Sequence, residues 1–244
     1  MASKQRSLFC RSRDGSITYT TDGNFLYAES GSGVVRLDLF AGHYYKLRPI
    51  NGVPILEIDG LRMQLVRDFD TPLDYSKEVL KLLRIPRTGR FTVLDTCMGL
   101  GYTAIAASES PAIQLVVTCE VSEAVITLAQ WNPFSEELFK KDGKILVMKG
   151  SIAEHVKGFA DGMFSFVIHD PPRLTHAPEL YSSVFYKELY RACRKGARLF
   201  HYVGSLGTGK GRHIDREVGK RLADAGFSSI RYVPRLQGLF AQKR

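Results

Sequence analysis

The sequence predicts an α/β fold: a mostly parallel sheet covered by helices on both faces, preceded by a small antiparallel β unit. Three observations carry this. From Phe91 onward, apolar strand-like runs alternate with helical segments, the pattern of successive β/α units. Ahead of residue 66, short segments mixing β-branched and aromatic residues with polar ones are separated by turn signals. Near the C-terminus, "SSIRYV" and "GLFAQK" stand a short turn apart, which pairs them antiparallel. The chain has 244 residues, 44% of them hydrophobic, enough for a small and a large unit with a substantial core.

In order, "SITYTT", "NFLYAES", "VVRLDLF", "YYKLRPI" and "VPILEIDGLRMQLV" read as strands of a front unit, residues 1–66. Asp22-Gly23, Gly31-Ser32-Gly33 and Asn51-Gly52 supply its turns. Residues 67–244 form the second unit. "TPLDYSKEVLKLLR", 71–84, reads as a helix with Pro72 in its first turn and Leu73, Val79, Leu80 and Leu83 as its apolar stripe. "FTVLDT" is a strand, followed by a helix from about Tyr102 to Ser108 that closes before Pro111. "IQLVVTCE" leads to "SEAVITLAQWN", capped by Ser122 and stopped before Pro133. "KILVMKG" leads to "SIAEHVKGF", and "MFSFVIHD" passes through a Pro-Pro loop to "ELYSSVFYKELYRACRKG". "RLFHYVG" passes through a glycine-rich loop to "HIDREVGKRLADAGF", which Gly226 ends. Five β/α units and a closing hairpin result.

Formal net charge is +9, unevenly spread. Arg191 to Arg244 holds 13 Lys and Arg against three Asp and Glu, while the first 190 residues hold 21 against 22. A localised surplus attracts a polyanion such as RNA or DNA; solvated helix faces are the alternative. No run approaches the roughly 18 apolar residues of a membrane span. The N-terminus lacks the apolar segment of a secretory signal. Cys10, Cys97, Cys119 and Cys193 form no C-x-x-C pair, so neither a metal site nor a disulfide framework is expected, and a reduced, cytoplasmic protein is.

In "VLDTCMGLGYTA", Gly99, Gly101 and Ala104 spell G-x-G-x-x-A. In sheets of this kind ligands bind beyond the carboxyl ends of the strands, near the switch in strand order. The glycines let backbone approach a ligand there. Glu120, ending the next strand, can accept hydrogen bonds from two ribose hydroxyls. Both NAD and S-adenosylmethionine (SAM) fit so far. Asp95 favours SAM by sign of charge: an acid at the strand end opposes a pyrophosphate but suits an ammonium and a sulfonium. Capping the turn is the alternative role for Asp95.

"FSFVIHDPPR", 164–173, ends the fourth strand and faces the same crevice. Pro171 and Pro172 stiffen the loop and have no N–H. Asp170 and the nearby carbonyls then offer a fixed cluster of acceptors. Such a cluster can aim an amine at an electrophilic methyl and stabilise the positive charge that grows on its nitrogen. His169 is a candidate proton acceptor, or a structural hydrogen-bonder at a strand end.

Together, Asp95, Gly99, Gly101, Glu120 and Asp170-Pro-Pro resemble class I SAM-dependent methyltransferases. The strings "LDTCMGLGYTA", "IHDPPR", "ELYSSVFYKELYR" and "LFHYVG" look like a family of predicted archaeal methyltransferases, from about Arg62 to the C-terminus. The resemblance implies a Rossmann-like seven-stranded methyltransferase sheet with its last strand antiparallel. It places SAM against Asp95, Cys97, Gly99, Gly101, Tyr102 and Thr103, and against Glu120 and Val121. It also puts Ser151, with Ile152, near the adenine, where relatives often have an acid. Asp170 would face donor and acceptor together. Relatives that methylate amines commonly place an aromatic residue after Asp-Pro-Pro; here Arg173 stands there. A guanidinium can stack on a base or bind a phosphate or carboxylate. Tyr181 and Tyr186 are candidates for the missing ring.

"GSLGTGKG", 204–211, falls short of a phosphate-binding P-loop, because position 211 is Gly where magnesium needs a hydroxyl. Lys210, Arg212 and His213 are instead candidate phosphate contacts beside the crevice. The leading expectation is a SAM-dependent methyltransferase acting on nitrogen, with a base in tRNA or other RNA as the acceptor. The alternatives are small-molecule methylation, an aminopropyltransferase resembling polyamine synthases, and a non-catalytic SAM- or RNA-binding subunit. The front unit would grip substrate or pair two chains into a homodimer.

Overall fold

The computed structural model of the chain describes residues 6–65, 67–204 and 214–244. The front unit is two four-stranded antiparallel sheets rather than one. The first holds β1 (Ser7–Arg11), β2 (Thr18–Thr21), β3 (Leu26–Ser30) and β4 (Gly33–Arg36). The second holds β5 (Asp38–Ala41), β6 (His43–Ile50), β7 (Val53–Ile58) and β8 (Leu61–Arg62). "VVRLDLF" breaks at Leu37, a buried residue that donates its N–H to Leu26 and accepts that of Leu47. One apolar side chain thus anchors the corner where the chain changes sheets. "VPILEIDGLRMQLV" is likewise two strands, because Asp59 and Gly60 both take positive φ and turn it into the β7–β8 hairpin.

α1 (Pro72–Leu83) starts at Thr71, whose hydroxyl accepts the Asp74 N–H, and ends at Arg84 in the left-handed region. The α/β alternation then runs β9 (Phe91–Asp95), α2 (Tyr102–Ser108), β10 (Ile113–Glu120), α3 (Glu123–Trp131), β11 (Ile145–Lys149) and α4 (Ile152–Gly158). It continues through β12 (Phe164–His169), α5 (Ser183–Ala192), β13 (Cys193–Tyr202), α6 (Ile214–Asp224), β14 (Ser228–Val233) and β15 (Gly238–Gln242). α5 is shorter than the sequence predicts. Gly196, at positive φ, donates its N–H to the Lys243 carbonyl and draws residues from Cys193 onward into the sheet.

The sheet has seven strands in the order β11-β10-β9-β12-β13-β15-β14, with β15 antiparallel to both neighbours and the other neighbouring pairs parallel. The chain runs outward from β9 to β11 and returns on the other side of β9 as β12. The order therefore reverses between β9 and β12, and the loops after these strands meet at the crevice. Alternate residues of each strand enter different cores. Val93, Val116 and Phe166 join a cluster that also holds Leu26, Leu37 and Leu47 of the front unit. Leu94, Val117 and Val167 face a second cluster under α4, α5 and α6. A polar clasp crosses the shared core. Tyr102 donates its hydroxyl to the Pro54 carbonyl at 2.6 Å and accepts from the Asn132 amide at 2.9 Å. Among the described residues, no helix is long and apolar enough to cross a membrane.

Candidate active site

A cavity of about 330 Å³ opens beyond the carboxyl ends of β9, β10 and β12 and is roofed by the second sheet of the front unit. Its floor is the loop after β9, where Gly99 and Gly101 take φ of 53° and 78°. Those values suit glycine, and a Cβ on Gly101 would also run into the Leu138 side chain. The loop spends its amides within the protein. Thr96 donates to Ile168, Met98 to Cys119 and Gly101 to Met98, all at carbonyls. The Gly99 N–H donates to Glu120 Oε2 at 3.0 Å, and the Ser122 N–H to Oε1 at 2.9 Å. These bonds, with the Val121 N–H as a further backbone donor, fix the Glu120 carboxylate in the cavity wall. Burial pushes the Glu120 carboxyl up, and the backbone donors oppose it.

Asp95 does not reach the wall, contrary to the direct ligand contact expected of it. It is fully buried, with Oδ1 accepting from the Thr103 hydroxyl at 3.1 Å and Oδ2 from the Thr118 hydroxyl at 2.7 Å. Burial pushes it up to about 7, the threonines oppose, and the charges of Asp170 and Glu120 add to the rise. Thr103 does line the cavity, and Asp95 sits behind it.

Asp170, Pro171, Pro172 and Arg173 line the same cavity as Glu120. Asp170 is half-buried, and Tyr75 of α1 donates its hydroxyl to Oδ2 at 3.3 Å. Burial pushes the Asp170 carboxyl up to about 7, against the pull of that bond. Tyr181 is buried behind the loop and donates its hydroxyl to the Pro172 carbonyl at 2.9 Å. It anchors the proline loop and does not supply a stacking ring. Tyr186 is also a core residue, its hydroxyl 2.8 Å from His201 Nε2. His169 is not a proton acceptor for a ligand. Its Nδ1 lies 2.6 Å from the Thr96 hydroxyl, its Nε2 donates to the Leu180 carbonyl at 3.0 Å, and burial pushes it down to about 4. Ser151 caps α4 through the Ala153 N–H, and Ile152 is buried in the second core; neither lines the cavity.

Of the remaining expected residues, Cys97, Tyr102 and Val121 line the cavity. Lys210, Arg212 and His213 lie outside the described residues, with the rest of 205–213. Sequence reasoning missed Tyr75, Tyr202 and the stretch Arg62–Leu65, all in the wall. Gln64 accepts the Leu56 N–H at 2.7 Å with its oxygen, while its amide nitrogen stands 3.8 Å from where a Gly99 Cβ would be. The one available signal was a tyrosine in a helix whose stripe is otherwise aliphatic. The basic C-terminal quarter is partly structural. Arg191, Arg198, Arg221 and Lys243 donate to backbone carbonyls.

No family model matches the chain. The uncharacterized protein MJ1233 of Methanocaldococcus jannaschii is 39% identical over 223 residues, which cover 91% of this chain and 74% of that protein. A spermidine synthase solved with the transition-state analogue AdoDATO superposes with a TM-score of 0.68 at 16% identity, covering 100% of this chain and 84% of its own. A SAM-dependent methyltransferase from Aquifex aeolicus gives 0.50 at 22% identity, covering 69% of this chain and 89% of its own. These likenesses show the fold: the class I methyltransferase α/β sheet, here behind a β-rich front unit.

Proposed function

The chain belongs to one family with the Methanocaldococcus jannaschii protein, and from the geometry of its site we propose that it binds S-adenosylmethionine and transfers the methyl group to a nitrogen acceptor. One observation carries this reading: the amide-anchored Glu120 and the half-buried Asp170 share one cavity at the strand switch. The residues present fit such a donor. Glu120 offers lone pairs to ribose hydroxyls, and Val121, 71% exposed at the rim, offers an apolar surface to adenine. The loop amides already satisfied by Glu120 and by carbonyls are those a dinucleotide pyrophosphate would need. A cation needs none of them and gains from the carboxylates.

When bound, SAM supplies an electrophilic methyl group on a sulfonium. At the other end, Asp170 accepts a hydrogen bond from the acceptor nitrogen and aims its lone pair along the cavity. It also stabilises the positive charge that develops there. Tyr75 and Tyr181 act behind it, one on its carboxylate and one on the Pro172 carbonyl, so that it is held before substrate arrives. The neutral, fully bonded His169 takes no part.

Aminopropyl transfer is the second reading, favoured by the superposition of the whole chain, front unit included, on a spermidine synthase. Calorimetry with SAM, decarboxylated SAM and NAD separates the readings. SAM is expected to bind most tightly. Preference for decarboxylated SAM would select the second reading, and NAD binding without SAM binding would end both. The finer proposal, that the nitrogen belongs to a base in tRNA or other RNA, draws on the basic C-terminal quarter. Incubation with labelled SAM and fractionated RNA, protein and metabolites tests it; label confined to metabolites would overturn it.

A further inference from the structure

Two arginines line the crevice and a third lines the pocket beside it. Arg62 and Arg173 line the cavity that holds Glu120 and Asp170, and Arg62 with Arg67 lines an adjoining pocket of about 390 Å³. The two spaces share Arg62, Gln64 and Tyr202 in their walls, so Tyr202 stands where they meet. Burial raises the Tyr202 phenol, the Asp170 charge adds to the rise and Arg173 opposes it, which puts all three groups within electrostatic reach. Arg62, Arg67 and Arg173 are exposed, and none makes an ion pair or side-chain hydrogen bond among the described residues. Several arginines elsewhere are engaged: Arg48 with Glu57, Arg191 with Asp161, Arg198 with the carbonyls of Leu83 and Arg84. Asp68 and Asp70, which follow Arg67 in the sequence, line neither space, while Asp170 shares the cavity wall with Arg62 and Arg173.

A single unpaired arginine on a surface is ordinary. Two that line the cavity of Asp170, with a third in the pocket that adjoins it through Arg62, make a set of donors suited to a phosphate or carboxylate. We infer that the acceptor carries an oxyanion, gripped by Arg62, Arg67 and Arg173, while its nitrogen stands at Asp170. The inference rests on the methyl-transfer reading for the role of Asp170, and it selects the substrate class within it. The crevice then has two signs: acids toward a cationic donor, arginines toward an anionic acceptor. A polyamine would meet like charges in the walls of both spaces.

The test titrates the full chain with inorganic pyrophosphate, with and without saturating SAM, and with spermidine in parallel. Arg62→Gln/Arg67→Gln should weaken pyrophosphate binding by about tenfold or more, the scale of lost charge-assisted hydrogen bonds. Lys187→Gln/Lys220→Gln, on α5 and α6, controls for overall charge and should stay within about twofold. Equal weakening in both double variants, no pyrophosphate binding, or spermidine competing with pyrophosphate would overturn the inference. SAM affinity is read separately. Its absence with pyrophosphate binding retained defeats the methyl-transfer reading, and the reverse defeats only the oxyanion site. Displacement of pyrophosphate by tRNA, with a steep salt dependence, would identify the oxyanion as an RNA phosphate; displacement only by small phosphorylated or carboxylated amines would identify a metabolite.

Discussion

Replacing Asp170 with asparagine should stabilise the protein while slowing methyl transfer, because the acceptor oxygen stays but the negative charge is lost, and the stabilisation should depend on pH. Burial moves the Asp170 carboxyl from 3.8 to about 7. Each unit corresponds to about 1.4 kcal/mol, so the full shift is worth about 4 kcal/mol. The side chain is half-buried and faces solvent in the cavity, which reduces the figure to about 2 kcal/mol. The folded-state value lies above the unfolded one. The neutral carboxyl is therefore accommodated in full below pH 3.8, and that stability is lost as pH rises through about 7. Asparagine never ionises, and its oxygen can still accept from Tyr75. Asp170→Asn should be more stable than the parent by about 2 kcal/mol at pH 8, a rise in Tm of roughly 4–8 °C for a chain of this size. The difference should vanish near pH 4. Thermal unfolding at both pH values, followed by circular dichroism, measures it. An equal difference at the two pH values, or a parent more stable than the variant at pH 8, would refute the electrostatic reasoning.

Tyr75→Phe removes the donor that holds the Asp170 carboxyl down, so the acid limb of the pH–rate profile should move to higher pH. An unmoved limb would show that Asp170 does not set it. Glu120→Gln puts an amide NH2 against a backbone N–H donor and should weaken SAM binding about tenfold or more, read by calorimetry. Unchanged affinity would remove Glu120 from the donor site. Gly101→Ala strains a positive φ and meets Leu138, and should cost about 1–3 kcal/mol in urea unfolding. A neutral result would mean that the loop has room to move.

The fold of the α/β unit was legible because its signals are local and periodic. Apolar runs such as "LVV" and "FVI" belong to strands buried on both faces, and Thr71 and Ser122 cap the helices that the pattern announces. The front unit was legible as β structure but not as two sheets, because the corner at Leu37 depends on two long-range backbone bonds with no turn residue to mark it. At the site, Glu120, Gly99 and Asp170 could be placed in one crevice from strand ends alone. Which carboxylate faces the cavity could not. Asp95 is withdrawn because Thr103, eight positions on, and Thr118, on the next strand, take both its oxygens. His169 looked available for the same reason: the partners that occupy its ring are Thr96, on another strand end, and a carbonyl at Leu180. Tyr75, Gln64, Arg62 and Arg67 come from α1 and from the end of the front unit and the stretch after it, where no motif advertises a wall.

The hydroxyl of Tyr102, held between Pro54 and Asn132, and the apolar cluster spanning Leu26, Leu37 and Val93 bear on how this protein can be divided. Excising the first 66 residues would not free a working catalytic half. It would strip the lid from a greasy surface, leave the carbonyl partner of a buried phenol missing, and take away Arg62 and Gln64 with the cut. The front unit is masonry of the crevice itself, and any attempt to retune what the protein accepts has to begin there.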